Sequence, residues 1–316
     1  MKVQVLTKHL EAHDIYRYEL VAVDGTCLPP FTPGAHIDVE IKPGLVRQYS
    51  LCNHPDQNHR YEIAVLRAPE SRGGSDAMHL SVNAGDVITI SEPRNHFPLD
   101  ARATRSLLIA GGIGVTPILC MAERLSEQNA TFEMHYCARS RDRMAFFDRL
   151  ANAKYASQVR THFDDGPEEQ RLDIEAVLAQ QDSETHLYVC GPMGFMTWVL
   201  DSAARAGWGP DRVHREYFSA SPISTENDAS FSVKLARSGT IIPIASNQSV
   251  VEALATHGVI IPISCEQGIC GTCLTRVIEG EPDHRDMFMT DAEHAVNDQF
   301  TPCCSRSKSP VLVLDL

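Results

Sequence analysis

Cys265-Glu-Gln-Gly-Ile-Cys270-Gly-Thr-Cys273 sets three thiols at C-x4-C-x2-C spacing, and Cys303-Cys304 follows about thirty residues later. This is the plant-type pattern for a [2Fe–2S] cluster held by four thiolates. Two irons bridged by sulfide need two thiolates each, so a tight loop can supply three while a distant segment brings the fourth. Gly268 and Gly271 suit such a loop, because a residue without Cβ reaches left-handed conformations and lets backbone N–H groups approach sulfur. Zinc ribbons usually carry two C-x2-C pairs where this stretch has one, and a disulfide framework belongs to an oxidising compartment. Spacing barely separates Cys303 from Cys304 as the fourth ligand, although neighbours on an extended segment face opposite ways and only one can serve. A plant-type cluster takes one electron at a time, so the rest of the chain must deliver single electrons.

At 316 residues the chain is long enough for two or three domains. Its hydrophobic and charged fractions, 43% and 22%, are those of a soluble globular protein. The N-terminal MKVQVLTKHLEAHD has no apolar h-region, and no run approaches the length of a membrane span, which points to the cytoplasm. There, ten cysteines favour metal ligation over cross-links, with Cys27, Cys52 and Cys120 read as small apolar residues. A net charge of −13 argues against nucleic acid or an anionic membrane as partner.

From residue 14 to about 93, short alternating runs such as Tyr16/Tyr18/Leu20/Ala22 and Ala35/Ile37/Val39/Ile41 are separated by turn residues, with no helical period. They predict a small antiparallel barrel. Within it, Arg47-Gln48-Tyr49-Ser50 puts an arginine, an aromatic and a hydroxyl on one strand. Arg72-Gly73-Gly74-Ser75 offers consecutive N–H groups of the kind that hold phosphate. Each alone is as well explained by a solvated strand or a plain turn. Together they suit the two ends of a flavin, with Arg47 at the phosphate and Tyr49 and Ser50 at the ring.

From Ser106 strands alternate with helices, which predicts a parallel sheet that binds ligands at its C-terminal strand ends. Leu107–Ala110 runs into Gly111-Gly112-Ile-Gly114-Val-Thr116-Pro117 and then a helix. The third glycine of the usual dinucleotide fingerprint is replaced by Pro117, but the strand-to-helix position suits pyrophosphate on a helix N-terminus. Tyr188-Val-Cys190-Gly191-Pro192-Met193 is a second such strand end, where a nicotinamide could rest. A polar linker follows at 219–230. Beyond it come a hairpin (231–244), a helix opened by Ser249, the cysteine loop and a last strand, Val311–Leu314.

End to end, the chain resembles the phthalate dioxygenase reductase family, reductase components of Rieske-type oxygenases. Arg47-x-Tyr49-Ser50 resembles that family's flavin motif, Gly111–Pro117 and Cys190-Gly191-Pro192 its nicotinamide motifs, and the cysteine loop its ferredoxin module. The C-terminal position of that module resembles the FMN-containing branch. The resemblance implies a multidomain chain: an antiparallel β-barrel FMN domain (1–101), an α/β parallel-sheet NAD domain (102–220), a linker (221–229) and an α+β β-grasp ferredoxin domain (230–316). It implies electron flow from NADH through FMN to the [2Fe–2S] cluster and on to a terminal oxygenase. Ser50 and Cys190 would be catalytic. Arg47, Gln48, Tyr49, Ser50, Val65, Leu66, Gly73, Gly74, Ser75, Thr116 and Phe218 would bind FMN. Gly112, Gly114, Arg139, Cys190, Gly191, Pro192 and Met193 would bind NAD, and Cys265, Cys270, Cys273 and Cys303 the metal. Cys303 is favoured because the family ligand stands two residues before a Ser-Arg pair, here Ser305-Arg306.

Other expectations are less constrained. A diiron or P450 oxygenase as acceptor, or a redox sensor whose flavin and nucleotide sites have decayed, are the alternatives. Arg139, Arg141 and Arg143 could hold a 2′-phosphate, yet the resemblance favours NADH over NADPH. No general-base triad is needed, and His284-Arg285-Asp286 reads as a solvated or packing element. Glu279, Glu281, Asp283, Asp286, Asp291, Glu293 and Asp298 predict a negative face on the last domain.

Overall fold

The computed structural model describes residues 1–68, 73–220 and 228–316; Arg72 and most of the linker lie outside the described residues. Two compact units divide the chain, Met1–Phe218 and Ser219–Leu316.

The first unit opens with β1 (Lys2–Ala12), β2 (Ile15–Ala22), β3 (Ala35–Lys42), β4 (Leu45–Ser50), β5 (Tyr61–Leu66), α1 (Gly74–Ser81), β6 (Val87–Ile90) and β7 (Arg94–Asn95). The strands form one antiparallel sheet in the order β4-β3-β6-β1-β2-β5, with β7 on β3. An isolated bridge between Leu51 and Ile63 brings its two edges together. Period-two alternation sends Val3, Val5, Tyr18, Leu20, Ile37 and Val39 into the interior, all fully buried. Two features depart from expectation. The first strand starts at Lys2, where Lys8, His9 and Glu11 had obscured the alternation of Val3 and Val5. The second is α1, whose few apolar residues give no helical stripe. It is held from outside by the Tyr18 hydroxyl, which donates to the Met78 carbonyl at 2.8 Å, and by Lys8 Nζ, which donates to the carbonyls of His79 and Val82 at 2.6 and 2.8 Å. Cys52 and Cys120 are buried as expected, but Cys27 is exposed, on a loop whose neighbouring Leu28 and Phe31 are the residues that enter the core.

A second sheet follows: β8 (Arg105–Gly111), α2 (Val115–Glu127), β9 (Thr131–Ala138), α3 (Phe147–Ala151), β10 (Val159–Phe163), α4 (Ile174–Ala179), β11 (Thr185–Cys190), α5 (Met193–Arg205) and β12 (Val213–Glu216). All pairings are parallel, in the order β10-β9-β8-β11-β12. The central β8 and β11 are buried almost throughout, because helices cover both faces and leave no polar side. The two sheets are tied by ion pairs. Buried Glu62 of β5 accepts from Arg17 (3.2 Å) and from Arg149 of α3 (2.9 Å), and pairs with Arg60 at 3.1 Å.

The second unit holds β13 (Phe231–Leu235), β14 (Ile241–Ile244), α6 (Val250–Thr256), β15 (Thr275–Glu279), β16 (Pro282–Asp283), α7 (Asp291–Val296), β17 (Gln299–Phe300), β18 (Arg306–Ser307) and β19 (Val311–Leu314). A mixed sheet, β14-β13-β19-β15-β17, is covered by α6, which starts with a Ser249/Glu252 capping box. The expected acidic face is smaller than its sequence suggests. Asp286 is buried, and Asp283 and Glu281 are paired with Arg285 and Lys308, which leaves Glu279, Asp291, Glu293 and Asp298 exposed.

Candidate functional site

At the flavin end, the structure brings Arg47 and the glycine turn together. Gly73 adopts φ +79°, the left-handed conformation that opens α1, and a Cβ on Gly74 would stand 2.5 Å from Arg47 Cγ and 2.6 Å from its Nε. The guanidinium stem therefore lies across the start of a helix whose first N–H groups have no partner within the helix. A cation beside the N–H groups of a helix start fits a phosphate. Ser75 Oγ accepts from the Ala68 N–H at 3.2 Å, so its own proton remains available to a ligand. Gln48 turns the other way, with its amide 3.1 Å from Asp38 and 3.3 Å from His36. Val65 packs in the barrel core with its carbonyl 2.8 Å from the His79 ring, and Leu66 is half-buried. Tyr49 is half-buried on β4, and Phe218 is 37% exposed just beyond β12.

The parallel sheet places the nucleotide residues at one end. Cys190 of β11 stands beside Ala110 of β8, so the turns that follow both strands meet. A Cβ on Gly114 would run into the Cys190 carbonyl and stand 2.6 Å from the Gly191 nitrogen. Gly111 and Gly191 both lie under the Phe195 ring, where a Cβ on either would come within 2.7 Å. Glycine is thus required at Gly114 by the close approach of two backbones, and at Gly111 and Gly191 by the Phe195 ring. Thr116 is buried and its hydroxyl donates to the Ile113 carbonyl at 3.1 Å. Pro192 is exposed and Met193 half-buried at the start of α5. Of the three arginines after β9, Arg141 covers the Phe147 ring and Arg143 pairs with Asp14 at 3.8 Å. Arg139 is exposed and has no acidic partner among the described residues.

Between these two ends lies an acid that the sequence did not single out. Ser50 Oγ donates to Glu216 Oε2 at 3.2 Å, and His36 stands 3.9 Å from the other oxygen. Glu216 is next to Cys190 across the β11–β12 ladder. Burial pushes its carboxyl up to about 8, offset in part by the Ser50 hydroxyl, so it holds a proton near neutrality. The same burial, with Glu216 adding, raises the Cys190 thiol well above its ordinary range, which makes it a neutral wall and not a thiolate. The available signal for Glu216 was its place at the end of Val213-His-Arg-Glu216, directly before Tyr217-Phe218.

In the second unit the thiols converge. Cys265 interacts with Cys270 and Cys303, and Cys273 with Cys303. Cys265 is held far below the usual thiol range first by Cys270, then by Cys303, with the N–H groups of Gln267 and Ile269 adding; the Gln267 nitrogen is 3.3 Å from its sulfur. Cys304 stays within reach of the group: Cys303 is the first cause that lowers its thiol. Its sulfur is 3.3 Å from Thr301 Oγ1 and would lie 2.5 Å from a Cβ on Gly268, whose φ is +71°. The Phe288 ring, absent from the sequence reading, fills the place that a Gly271 Cβ would take. Converging thiols with N–H donors fit two irons, with Cys303 and Cys304 both near the place of the fourth ligand.

Comparison with known proteins gives this arrangement a family. Residues 233–308 match the 2Fe-2S iron-sulfur cluster binding domain, and residues 88–213 match the dimethylamine monooxygenase subunit DmmA-like N-terminal domain. Vanillate O-demethylase oxidoreductase from Pseudomonas sp. (strain HR199 / DSM 7063) is 54% identical over 316 residues, 100% of either chain. The solved structure of phthalate dioxygenase reductase, a modular structure for electron transfer from pyridine nucleotides to [2Fe–2S], is 40% identical. It covers 100% of this chain and 98% of its own, with a TM-score of 0.76. The chain belongs to the phthalate dioxygenase reductase family. An intact type IV self-sufficient cytochrome P450 monooxygenase also matches 100% of this chain with 41% of its own, at 36% identity and a TM-score of 0.90.

As a member of that family the chain is an NADH-dependent oxidoreductase, the reductase component of an oxygenase system, and carries electrons from NADH through FMN to a [2Fe–2S] cluster. The expected barrel, parallel-sheet and ferredoxin parts are those of the family fold. Among the described residues, no helix is long and apolar enough to cross a membrane.

Proposed function

We propose that the chain serves, in the cytoplasm, a Rieske-type oxygenase that demethylates a methoxylated aromatic acid. The observation that carries this is the 54% identity, along the full length, to a vanillate O-demethylase oxidoreductase, against 40% to phthalate dioxygenase reductase. The domain limits 1–101, 102–220 and 230–316 belong to the same proposal.

Within it, Arg47 and the N–H groups of Gly73, Gly74 and Ser75 hold the FMN phosphate, and Tyr49 and Phe218 flank the ring, with Gln48, Val65, Leu66 and Thr116 around them. Gly112 and Gly114 receive the pyrophosphate at the α2 N-terminus, and Arg139 the adenosine side. Cys190, Gly191, Pro192 and Met193 seat the nicotinamide. FMN, when bound, supplies the conversion between a two-electron donor and a one-electron acceptor. Glu216 stores a proton in a buried place, and Ser50 presents a hydroxyl bonded to it, so a proton can move along the Ser50 Oγ to Glu216 Oε2 contact without water. Cys265, Cys270, Cys273 and Cys303 hold the cluster.

The test is reconstitution with purified oxygenase components. Vanillate-dependent NADH consumption matched by formaldehyde release supports the proposal; coupling only with a ring-dihydroxylating component refutes it. A P450 acceptor is the second reading, favoured by the TM-score of 0.90 to the self-sufficient P450. NADH-driven reduction of an isolated P450 haem domain, faster than that of any Rieske component, would establish it.

A further inference from the structure

His284, Asp286 and His294 each present one ligand atom, and these atoms lie within 4.8 Å of one another. His284 and Asp286 come from the stretch after β16, and His294 from α7, which is fixed at its start by a Thr290/Glu293 capping box. The Nε2 of His284 is 3.0 Å from the Asn297 side-chain oxygen, which makes Nε2 the protonated nitrogen and leaves a lone pair on Nδ1. That Nδ1 is buried and has no hydrogen-bond partner among the described residues. The Asp286 side chain is 0% exposed. Its Oδ2 accepts from the Met289 N–H at 2.8 Å, and its Oδ1 faces His294 Nε2 at 3.2 Å. The two imidazoles stack, with centroids 4.4 Å apart. An orphaned buried acceptor beside a buried carboxylate is costly, and an outer N–H donated to a carbonyl is how metal-bound imidazoles are oriented.

We propose that His284 Nδ1, Asp286 Oδ1 and His294 Nε2 form a site for a divalent transition-metal ion, with zinc as the best match. Two imidazoles and one carboxylate suit zinc over calcium or magnesium, and three protein ligands leave one position for water. His294, with its side chain 23% exposed, supplies the entry. Binding displaces the proton shared by His294 Nε2 and Asp286 Oδ1 into solvent. The ion would also brace the cysteine loop. A Cβ on Gly268 would stand 2.9 Å from the Asp286 Cα, and the Met287 N–H donates to the Gly268 carbonyl at 2.9 Å. Joining Asp286 to α7 therefore stiffens the ground on which that loop rests.

The holoprotein, equilibrated with zinc sulfate and dialysed, is analysed for zinc and iron. His284→Gln and His294→Gln should each hold one zinc fewer than wild type, with flavin and cluster absorbance unchanged; His9→Gln, at an exposed position of β1, should not. Equal zinc in wild type and both variants, an adventitious ion only, overturns the site. Should either variant lose its cluster, X-ray absorption at the zinc edge of the wild-type protein decides. Imidazole and oxygen scattering is expected, and a shell of sulfur overturns the proposal.

Discussion

Gly114→Ala tests the meeting of the two strand ends. Gly114 has φ −61°, so backbone conformation does not demand glycine there. The demand is spatial, since an added Cβ meets the Cys190 carbonyl and the Gly191 nitrogen, both backbone. No side chain can turn aside, and β8 and β11 must part at their C-terminal ends. Overpacking of this kind typically costs about 1–3 kcal/mol. At roughly 2–4 °C per kcal/mol for a unit of this size, Tm should fall by about 2–12 °C. Because the parted strands carry the dinucleotide turn, KM for NADH should rise, and kcat/KM with ferricyanide should fall by about tenfold for each ~1.4 kcal/mol of lost binding. Gly194→Ala is the control. Its Cβ would meet nothing within 4 Å in α5, so Ala should be neutral or stabilise by up to ~1 kcal/mol. Calorimetry and steady-state kinetics read both variants. If Gly114→Ala matches Gly194→Ala in Tm and in KM, the close approach does not exist in solution.

Three further outcomes are expected. Cys303→Ser should lose cluster absorbance and cytochrome c reduction while keeping FMN and ferricyanide reduction, with Cys304→Ser near wild type; the reverse pair of spectra would make Cys304 the ligand. Glu62→Ala leaves Arg17, Arg60 and Arg149 without their shared buried partner, and should destabilise by roughly 3–5 kcal/mol in urea unfolding, where a loss below ~1 kcal/mol would contradict the tie. Glu216 titrates at about 8 when folded against an ordinary 4.5, so the folded chain keeps a proton that the unfolded chain releases, and stability falls as pH rises between those values. Glu216→Gln should remove that part of the slope and gain on wild type up to pH 8; parallel Tm–pH curves would show an ordinary carboxyl.

The sequence was legible where chemistry sits in short, rigidly spaced motifs. C-x4-C-x2-C needs no context, and the glycine turns report their own strand ends. Glu216 was not legible, because a carboxylate near a strand end looks solvated until β12 is placed beside β11 and Ser50 arrives from another sheet. The α1 helix stayed hidden for a similar reason, since Lys8 and Tyr18 hold it from more than fifty residues away. Asp286 and His284 looked like surface charge for want of α7, which the capping signal Thr290-x-x-Glu293 announces.

Electron flow from NADH through FMN to the cluster is tested most directly by anaerobic NADH titration, with low-temperature EPR of the reduced [2Fe–2S] signal. Wild type should bleach its flavin and develop the cluster signal together. Arg47→Ala, freed of FMN by dialysis, should show no cluster signal with NADH until FMN is returned in excess. A cluster reduced by NADH in the FMN-free protein, or a flavin fully reduced beside an oxidised cluster, would contradict that order.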